Sequence, residues 1–167
     1  MKKIIVIGSS GAGKSTLARK LGAKLGIEVF HLDQLLWKPN WVMSTLDYQI
    51  DIQNNVIVKP SWIIDGNFGD TLNMRISAAD TIVFLDRSRI VCIYQILKRV
   101  RKYNGVSRPD MQSKCPEKFD LNFIKWVWKF PNKQRLDIIK LLQEISDDKQ
   151  ILHLKNKKQI QHFLENV

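Results

Sequence analysis

The stretch GSSGAGKST, residues 8 to 16, lies between the apolar run IIVI (residues 4–7) and the segment LARKLGAKLG (residues 17–26). Its glycines let several backbone N–H groups converge on one anion without Cβ clashes. The N-terminus of the helix that follows adds unpaired N–H groups and the positive end of a dipole. The spacing G-x-x-x-x-G-K-S, between a strand and a helix, predicts a phosphate-binding P-loop rather than a glycine-rich turn that only caps a helix.

The P-loop pattern indicates a nucleoside triphosphate as ligand. The residues expected around its phosphates are Gly8, Ser9, Ser10, Gly11, Ala12, Gly13, Lys14, Ser15 and Thr16. Lys14 is expected to reach the β- and γ-phosphates, the Ser15 hydroxyl to coordinate Mg²⁺, and Thr16 to assist at the α-phosphate. The loop does not name a reaction, because kinases, GTPases, motors and pumps all use it.

Length and composition indicate one globular domain, residues 1–167. The chain is 44% hydrophobic, with no apolar run near the roughly 20 residues that span a bilayer. Its start, MKKIIVIGSS, has too short an apolar run for a signal peptide and leads directly into the loop, so we expect a cytoplasmic protein without a membrane partner. Cys92 and Cys115 have no C-x-x-C spacing, which favours two reduced thiols.

Strand and helix patterns alternate along the chain. Strands are predicted at residues 3–7, 27–33, 61–67, 80–86 and 149–155, and the first helix at 14–25. Ser44-x-x-Asp47 resembles a capping box that opens a helix to about Val58. Further helices are predicted at 88–103, at 119–130 and 132–145 with a break at Pro131, and at the C-terminus. This order predicts an α/β domain with a parallel sheet covered by helices on both faces.

The charge distribution narrows the choice among P-loop proteins. The net charge is +11, and residues 87–118 hold nine Lys or Arg and two acids. No guanine-binding N-K-x-D motif occurs, and the chain is short for a motor ATPase. A small phosphotransferase that folds a basic lid, residues 98–118, over its nucleotide explains these features. A basic surface that follows DNA phosphates is the alternative.

The segments GSSGAGKSTLARKLGAKLGIEVFHLD, LLWKPNW, SWIIDGNF, ADTIVFLD, LKRVRKYNGVSRPDM and CPEKFDLNFIKWVWKFP resemble the bacterial group labelled DNA topology modulation proteins (FlaR-like). That group is similar in fold to adenylate kinase and shikimate kinase. The resemblance runs from residue 3 to about 155. It implies an adenylate-kinase-like three-layer α/β/α fold, with a five-stranded parallel sheet of order 2-3-1-4-5 and a lid insertion.

The resemblance also implies roles for two strand-end carboxylates. Asp65 stands where such kinases hold Mg²⁺ through water, and Asp33 where an acid grips or deprotonates the acceptor hydroxyl. A turn aspartate before Gly66 and a capping aspartate are the alternatives for these two positions.

Acceptor-binding residues follow from the same resemblance. Trp37 would stack on a ring or a base, with Trp41 nearby, or both tryptophans would be core residues. Asn67 and Arg75 stand where nucleotide kinases bind the acceptor, and Arg75 would fork onto an acceptor phosphate or lie on the surface. D-G-N-F-G replaces the usual D-G-F-P-R, which argues against adenylate kinase activity itself.

The lid is expected to supply catalytic cations. The charge on the moving phosphoryl group would be stabilised by Lys14 of the P-loop and by Arg99 and Arg108 of the lid, with Arg135 as a further candidate. For the arginines, the alternative is a solvated basic face. Lys155 and Asn156 match the loop that borders the adenine. The aromatic segment FDLNFIKWVWKFP suggests core packing or a homodimer surface.

Together these patterns predict an ATP- and Mg²⁺-dependent kinase of a small acceptor, a nucleotide or a hydroxyl metabolite. The alternative function is an ATP-dependent DNA-binding or regulatory protein that affects DNA topology.

Overall fold

The computed structural model describes residues 1–145 and 149–167. The strands within these residues are β1 (Lys3–Gly8), β2 (Val29–His31), β3 (Trp37–Lys38), β4 (Val42–Met43), β5 (Trp62–Asp65), β6 (Thr81–Leu85) and β7 (Gln150–Leu154). The helices are α1 (Lys14–Leu25), α2 (Leu32–Leu36), α3 (Leu46–Ile57), α4 (Leu72–Ala78), α5 (Arg89–Tyr103), α6 (Leu121–Lys129), α7 (Gln134–Gln143) and α8 (Lys157–Glu165).

The main sheet is parallel, with the strand order β2-β5-β1-β6-β7. Counting only these five strands along the chain, the order is 2-3-1-4-5, so the predicted topology is confirmed. The central strand β1 contributes Ile4 to Ile7, all with 0% exposure. A strand buried on both faces reads as a continuous apolar run, which explains the IIVI segment.

Helices cover both faces of the sheet and give two core clusters. Ile5 and Ile7 point to one face, where they meet residues of α2, α3, α4 and α7. Ile4 and Val6 point to the other face, where they meet residues of α1, α5 and α6. The alternation of side chains along β1 therefore builds the predicted three-layer α/β/α arrangement.

Two predicted element boundaries are wrong in ways that affect the site. The strand expected at 27–33 ends at His31, and Asp33 lies in the first turn of helix α2 because Leu32 and Leu36 are buried at helical spacing. The expected capping box at Ser44 does not form. The Ser44 N–H instead donates to the carbonyl of Leu36 (3.1 Å), and Thr45 is the N-cap of α3, without a side-chain cap bond.

The lid segment, residues 98–118, begins within a helix. Helix α5 ends at Tyr103, as predicted, so Lys98 and Arg99 are helical, and the irregular part of the lid begins at Asn104. The predicted break at Pro131 is a 3₁₀ turn, Phe130–Asn132. Among the residues described, no helix combines the length and apolar character needed to cross a membrane.

Candidate active site

The P-loop joins β1 to α1 at the carboxyl edge of the sheet. Gly8, Gly11 and Gly13 have φ values of 144°, 79° and 99°. A Cβ on Gly8 would lie 2.4 Å from the Leu85 carbonyl oxygen, and one on Gly11 would lie 2.3 Å from that of Cys92. The glycines therefore allow both the left-handed backbone and the close packing of the loop on β6 and α5.

The loop opens into a cavity of about 1310 Å³, which residues Ser10 to Thr16 help to line. Gly13 is the N-cap of α1 and provides no side-chain cap bond, so the first N–H groups of the helix stay available to an anion. Gly8 and Ser9 lie beneath the loop and are buried. The volume exceeds the roughly 300–1000 Å³ typical of a single small-molecule site.

Lys14 folds back over the loop. Its Nζ donates hydrogen bonds to the carbonyls of Gly8 (3.0 Å) and Ser9 (3.1 Å). Burial lowers the pKa of Lys14, and the charges of Asp33 and Asp65 offset only part of that effect. A phosphate group entering the loop would supply the counter-charge that Lys14 lacks.

Two carboxylates face Lys14 across the cavity. Asp65 ends β5, and its Oδ1 lies 2.5 Å from Nδ1 of His31, its direct neighbour on β2. Burial alone would lower the pKa of His31, but the hydrogen bond and charge of Asp65 raise it overall. Burial raises the pKa of Asp33, and Lys14 and Arg108 only partly oppose this shift.

The cavity also offers a set of oxygen ligands that fits Mg²⁺. The Ser15 hydroxyl and the Asp65 carboxylate both line it, and hard oxygen ligands are the type that Mg²⁺ prefers. Within the described residues, no group of three His, Cys, Asp or Glu side chains is arranged to hold a metal by itself. An ion here would therefore take its remaining ligands from phosphate oxygens and water.

The lid segment brings a network of ion pairs to the cavity. Glu117 is 3% exposed, and its Oε1 lies 3.0 Å from Nε of Arg99 and 2.6 Å from Nε of Arg108. Neither N–H group is aimed at the oxygen, so these contacts are ion pairs rather than directed hydrogen bonds. Arg108 also lies 3.2 Å from Asp110 and 3.7 Å from Asp33. Arg99 and Arg108 therefore both reach the cavity, as predicted, but each already faces a carboxylate.

Asp110 connects the lid to helix α1. Its carboxylate lies 3.7 Å from the guanidinium of Arg19. Burial alone would raise the pKa of Asp110, but the charge of Arg108 and the polar groups near its carboxylate lower it overall.

The tryptophans form one wall of the cavity, beside the lid. Trp37 and Trp41 lie edge to face, with ring centroids 5.6 Å apart, on the hairpin formed by β3 and β4. Trp37 is one helical turn from Asp33, and both line the cavity. The Trp41 indole N–H donates to the carbonyl of Pro116 in the lid (3.1 Å).

Arg75 does not serve in the predicted way, whereas Asn67 lies in the cavity lining. Arg75 has 0% exposure, and its guanidinium donates to the carbonyls of Gly66 (2.7 Å), Asn67 and Phe68 (2.9 Å). The prediction of a fork onto an acceptor phosphate is therefore wrong, because loop carbonyls occupy the guanidinium. Asn67 lines the cavity, but its side-chain oxygen accepts the N–H of Gly8 (2.9 Å) and so ties this loop to the P-loop.

Lys155 and Asn156 lie at the start of helix α8. Asn156 is the N-cap of α8, and its side chain accepts the N–H of Gln159 (2.9 Å), while the Lys155 N–H donates to the Gln159 side chain (2.7 Å). The cavity lining includes the next residue, Lys157, and Ile160. The place of Lys155 and Asn156 beside an adenine stays a prediction.

Several polar contacts had no signal in the sequence. The contacts of Glu117 and of His31 described above are two examples. A third is Asp86 at the end of β6, which accepts two hydrogen bonds from Arg135 (2.7 and 2.8 Å) and forms one with His153 (2.7 Å). Arg135 is therefore paired with Asp86 and fixes α7 to the sheet, rather than serving the lid. Both cysteines are free and buried, in agreement with the prediction of reduced thiols.

Comparisons with known proteins support the fold. A shikimate kinase from Bacteroides thetaiotaomicron superposes with a TM-score of 0.58 and 16% identity, covering 98% of this chain and 94% of that one. A shikimate kinase from Acinetobacter baumannii in complex with shikimate gives a TM-score of 0.59 and 13% identity, covering 99% and 90%. No family model and no curated protein matches the sequence. These identities show the fold alone, and the resemblance to DNA topology modulation proteins stays a prediction.

Proposed function

We propose that the chain is a P-loop phosphotransferase that moves the γ-phosphoryl group of ATP to a small acceptor. The observation that carries the proposal is one cavity lined both by the P-loop with Lys14 and by Asp33 with Trp37. A phosphate-binding loop and an acid that can take a proton thus share one space. Two solved structures of similar fold are shikimate kinases, which supports a kinase of this kind.

The chemistry follows from the residues around the cavity. The acceptor hydroxyl oxygen forms a bond to the γ-phosphorus, the bond from that phosphorus to the β-γ bridging oxygen breaks, and ADP leaves. Asp33 takes the proton of the hydroxyl, and its raised pKa brings it closer to that task than an ordinary aspartate. Arg99 and Arg108 stabilise the charge on the moving group.

Mg²⁺ would be held by the Ser15 hydroxyl and, through water, by Asp65. When bound, the ion would neutralise charge on the β- and γ-phosphates. Lys14 would release the carbonyls of Gly8 and Ser9 and turn to the same phosphates.

The test is formation of ADP from ATP and Mg²⁺ against a panel of nucleosides, nucleoside monophosphates and hydroxyl metabolites, with duplex DNA as one member. Strong stimulation by one small molecule is expected. Lys14→Met should abolish the stimulated rate, whereas Lys158→Met, an exposed lysine of α8 that does not line the cavity, should keep it. Stimulation by DNA alone, with binding that weakens steeply as salt rises, would replace the proposal by the DNA-binding function.

A further inference from the structure

One side of the cavity is formed by α2, the β3–β4 hairpin, the loop after β5 with α4, and α7; we name it the acceptor wall. Its apolar members are Trp37, Trp41, Phe68, Leu72, Ile138 and Leu141. Four of these, Phe68, Leu72, Ile138 and Leu141, also pack in one core cluster with Leu36. The wall therefore offers four apolar side chains that share one cluster, together with two indole rings.

The polar groups of the acceptor wall are carboxylates and amides. Asp33, Asp65 and Asp137 face the cavity, together with Asn67, Asn73 and Gln134. Among the residues that the structure describes, these elements present no lysine or arginine to the cavity. Lys38 of the hairpin lies instead 5.8 Å from the centre of the Tyr48 ring.

Arg75, the arginine of α4, is sealed beneath this wall. Its terminal nitrogens are occupied by the carbonyls of Gly66, Asn67 and Phe68. Releasing it toward a ligand would leave these carbonyls without a donor, which is unfavourable. Arg75 thus contributes no positive charge that an acceptor can reach.

The lid brings Arg108 toward the wall, but Arg108 is surrounded by acids. Its guanidinium lies 2.6 Å from Glu117, 3.2 Å from Asp110 and 3.7 Å from Asp33. Two of these carboxylates come from the lid itself. An anionic group on the acceptor would have to compete with them and would also face Asp33 and Asp65.

We infer that the acceptor is a hydroxyl compound built on a flat or apolar ring and carrying no phosphate or carboxylate group. The inference rests on the proposed function, because only phosphoryl transfer makes the ligand of this wall an acceptor. The ring would pack on the tryptophans and on Phe68, and the amides would hydrogen-bond its neutral polar groups. The carboxylates would repel an anionic analogue, which is how a site rejects a competitor of the same shape.

The experiment uses matched ligands that differ in one anionic group. The pairs are adenosine with AMP, cytidine with CMP, thymidine with dTMP, and shikimate methyl ester with shikimate. Affinities are measured by calorimetry on the full chain with Mg²⁺ and a non-hydrolysable ATP analogue. We expect at least one neutral member to bind about tenfold more tightly than its anionic partner, equivalent to about 1.4 kcal/mol. Equal affinity in every pair, tighter binding of the anionic members, or no binding by any member would overturn the inference.

A charge variant checks that the wall causes the preference. Asn73 is exposed on α4 and lines the cavity, so Asn73→Lys places a cation on the wall with little effect on the core. We expect it to reduce the preference for the neutral member several-fold. Ser77→Lys, one helical turn further along and outside the cavity lining, is the matched control and should leave the preference unchanged. An identical preference in Asn73→Lys and wild type would contradict the inference.

This measurement separates the two proposals, because binding to the analogue complex requires no turnover. A preference for neutral ligands without ADP formation would refute phosphoryl transfer and keep the ligand class. ADP formation stimulated by an anionic acceptor would refute the ligand class and keep phosphoryl transfer.

Discussion

Glu117→Gln tests whether one buried carboxylate holds the arginines of the lid. The Glu117 side chain is 4% exposed, and it faces Arg99, 21% exposed, and Arg108, 9% exposed. Its backbone is fixed on both sides, since its N–H donates to Val106 (3.0 Å) and its carbonyl accepts from Gly105 (3.1 Å). The substitution removes the negative charge and keeps the shape.

The expected loss of stability follows from the burial of these charges. Removing one partner of a buried ion pair costs about 3–5 kcal/mol, because the remaining charge is left uncompensated. Asp110 and Asp33 still face Arg108, which places the loss at the lower end, about 3 kcal/mol. In a domain of this size, that loss lowers Tm by about 6–12 °C.

The assay is thermal unfolding with and without Mg²⁺ and ATP. Glu28→Gln is the matched control, because Glu28 (62% exposed) pairs with Lys59 (42% exposed) at the surface. Such a pair contributes less than about 1 kcal/mol. In Glu117→Gln the arginines lack a counter-charge, so ATP should raise Tm by more than it does in wild type. A loss no larger than that of Glu28→Gln, or equal stabilisation of variant and wild type by ATP, would refute the reasoning.

Three further substitutions test other parts of the site. Asp33→Asn should abolish turnover yet raise Tm slightly at pH 7, because burial raises the pKa of Asp33 while water screens its side chain, which is 44% exposed; the small gain should vanish as pH falls below about 4, where Asp33 is protonated in both the folded and unfolded states. Arg75→Met should lower the free energy of unfolding in urea by about 3 kcal/mol, roughly 1 kcal/mol for each carbonyl left without a donor. Arg75→Lys should recover only part of this loss, because an ammonium group lacks the planar fork of the guanidinium. Full recovery of stability in Arg75→Lys would contradict this account. Gly11→Ala should lower both Tm and ATP affinity, because its Cβ would lie 2.3 Å from the Cys92 carbonyl oxygen. The Cβ of Gly13→Ala meets no atom within 4 Å, so this variant should lose only about 1–2 kcal/mol of stability from the strain of its left-handed backbone. Equal losses in the two variants would show that the packing on Cys92 is unimportant.

The parts of the fold that could be predicted from the sequence are those with a local signal. The IIVI run and the glycines of residues 8–13 are adjacent in the chain, and a strand followed directly by such a loop is the pattern that binds phosphate. The P-loop could therefore be predicted from a short stretch of sequence. The sheet order could be inferred from the resemblance, and Lys14, Asp33 and Asp65 reach one cavity because parallel strands end at the same edge.

The remainder depends on contacts between distant residues. The ion pairs of Glu117 with Arg99 and Arg108 form only once the chain has turned back from the lid, and nothing near Glu117 in the sequence indicates them. The His31–Asp65 contact depends on the register of β2 against β5. Arg75 was assigned to the acceptor because the sequence does not show that the loop after β5 turns its carbonyls inward, with Phe68 at a φ of 37°.

The lid and the hairpin are joined, which affects how the site closes. Three hydrogen bonds link them: Asn40 N–H to the Lys114 carbonyl (2.9 Å), the Trp41 indole to the Pro116 carbonyl (3.1 Å), and the Cys115 thiol to the Lys38 carbonyl (3.2 Å). A lid movement that keeps these bonds must carry the hairpin with it. Because the lid holds Arg108 and the hairpin holds Trp37, the cations for the phosphoryl group and the ring surface for the acceptor would then arrive together. If the proposed function holds, this joint would couple exclusion of water from the phosphates to the presence of an acceptor and would protect ATP from hydrolysis before transfer.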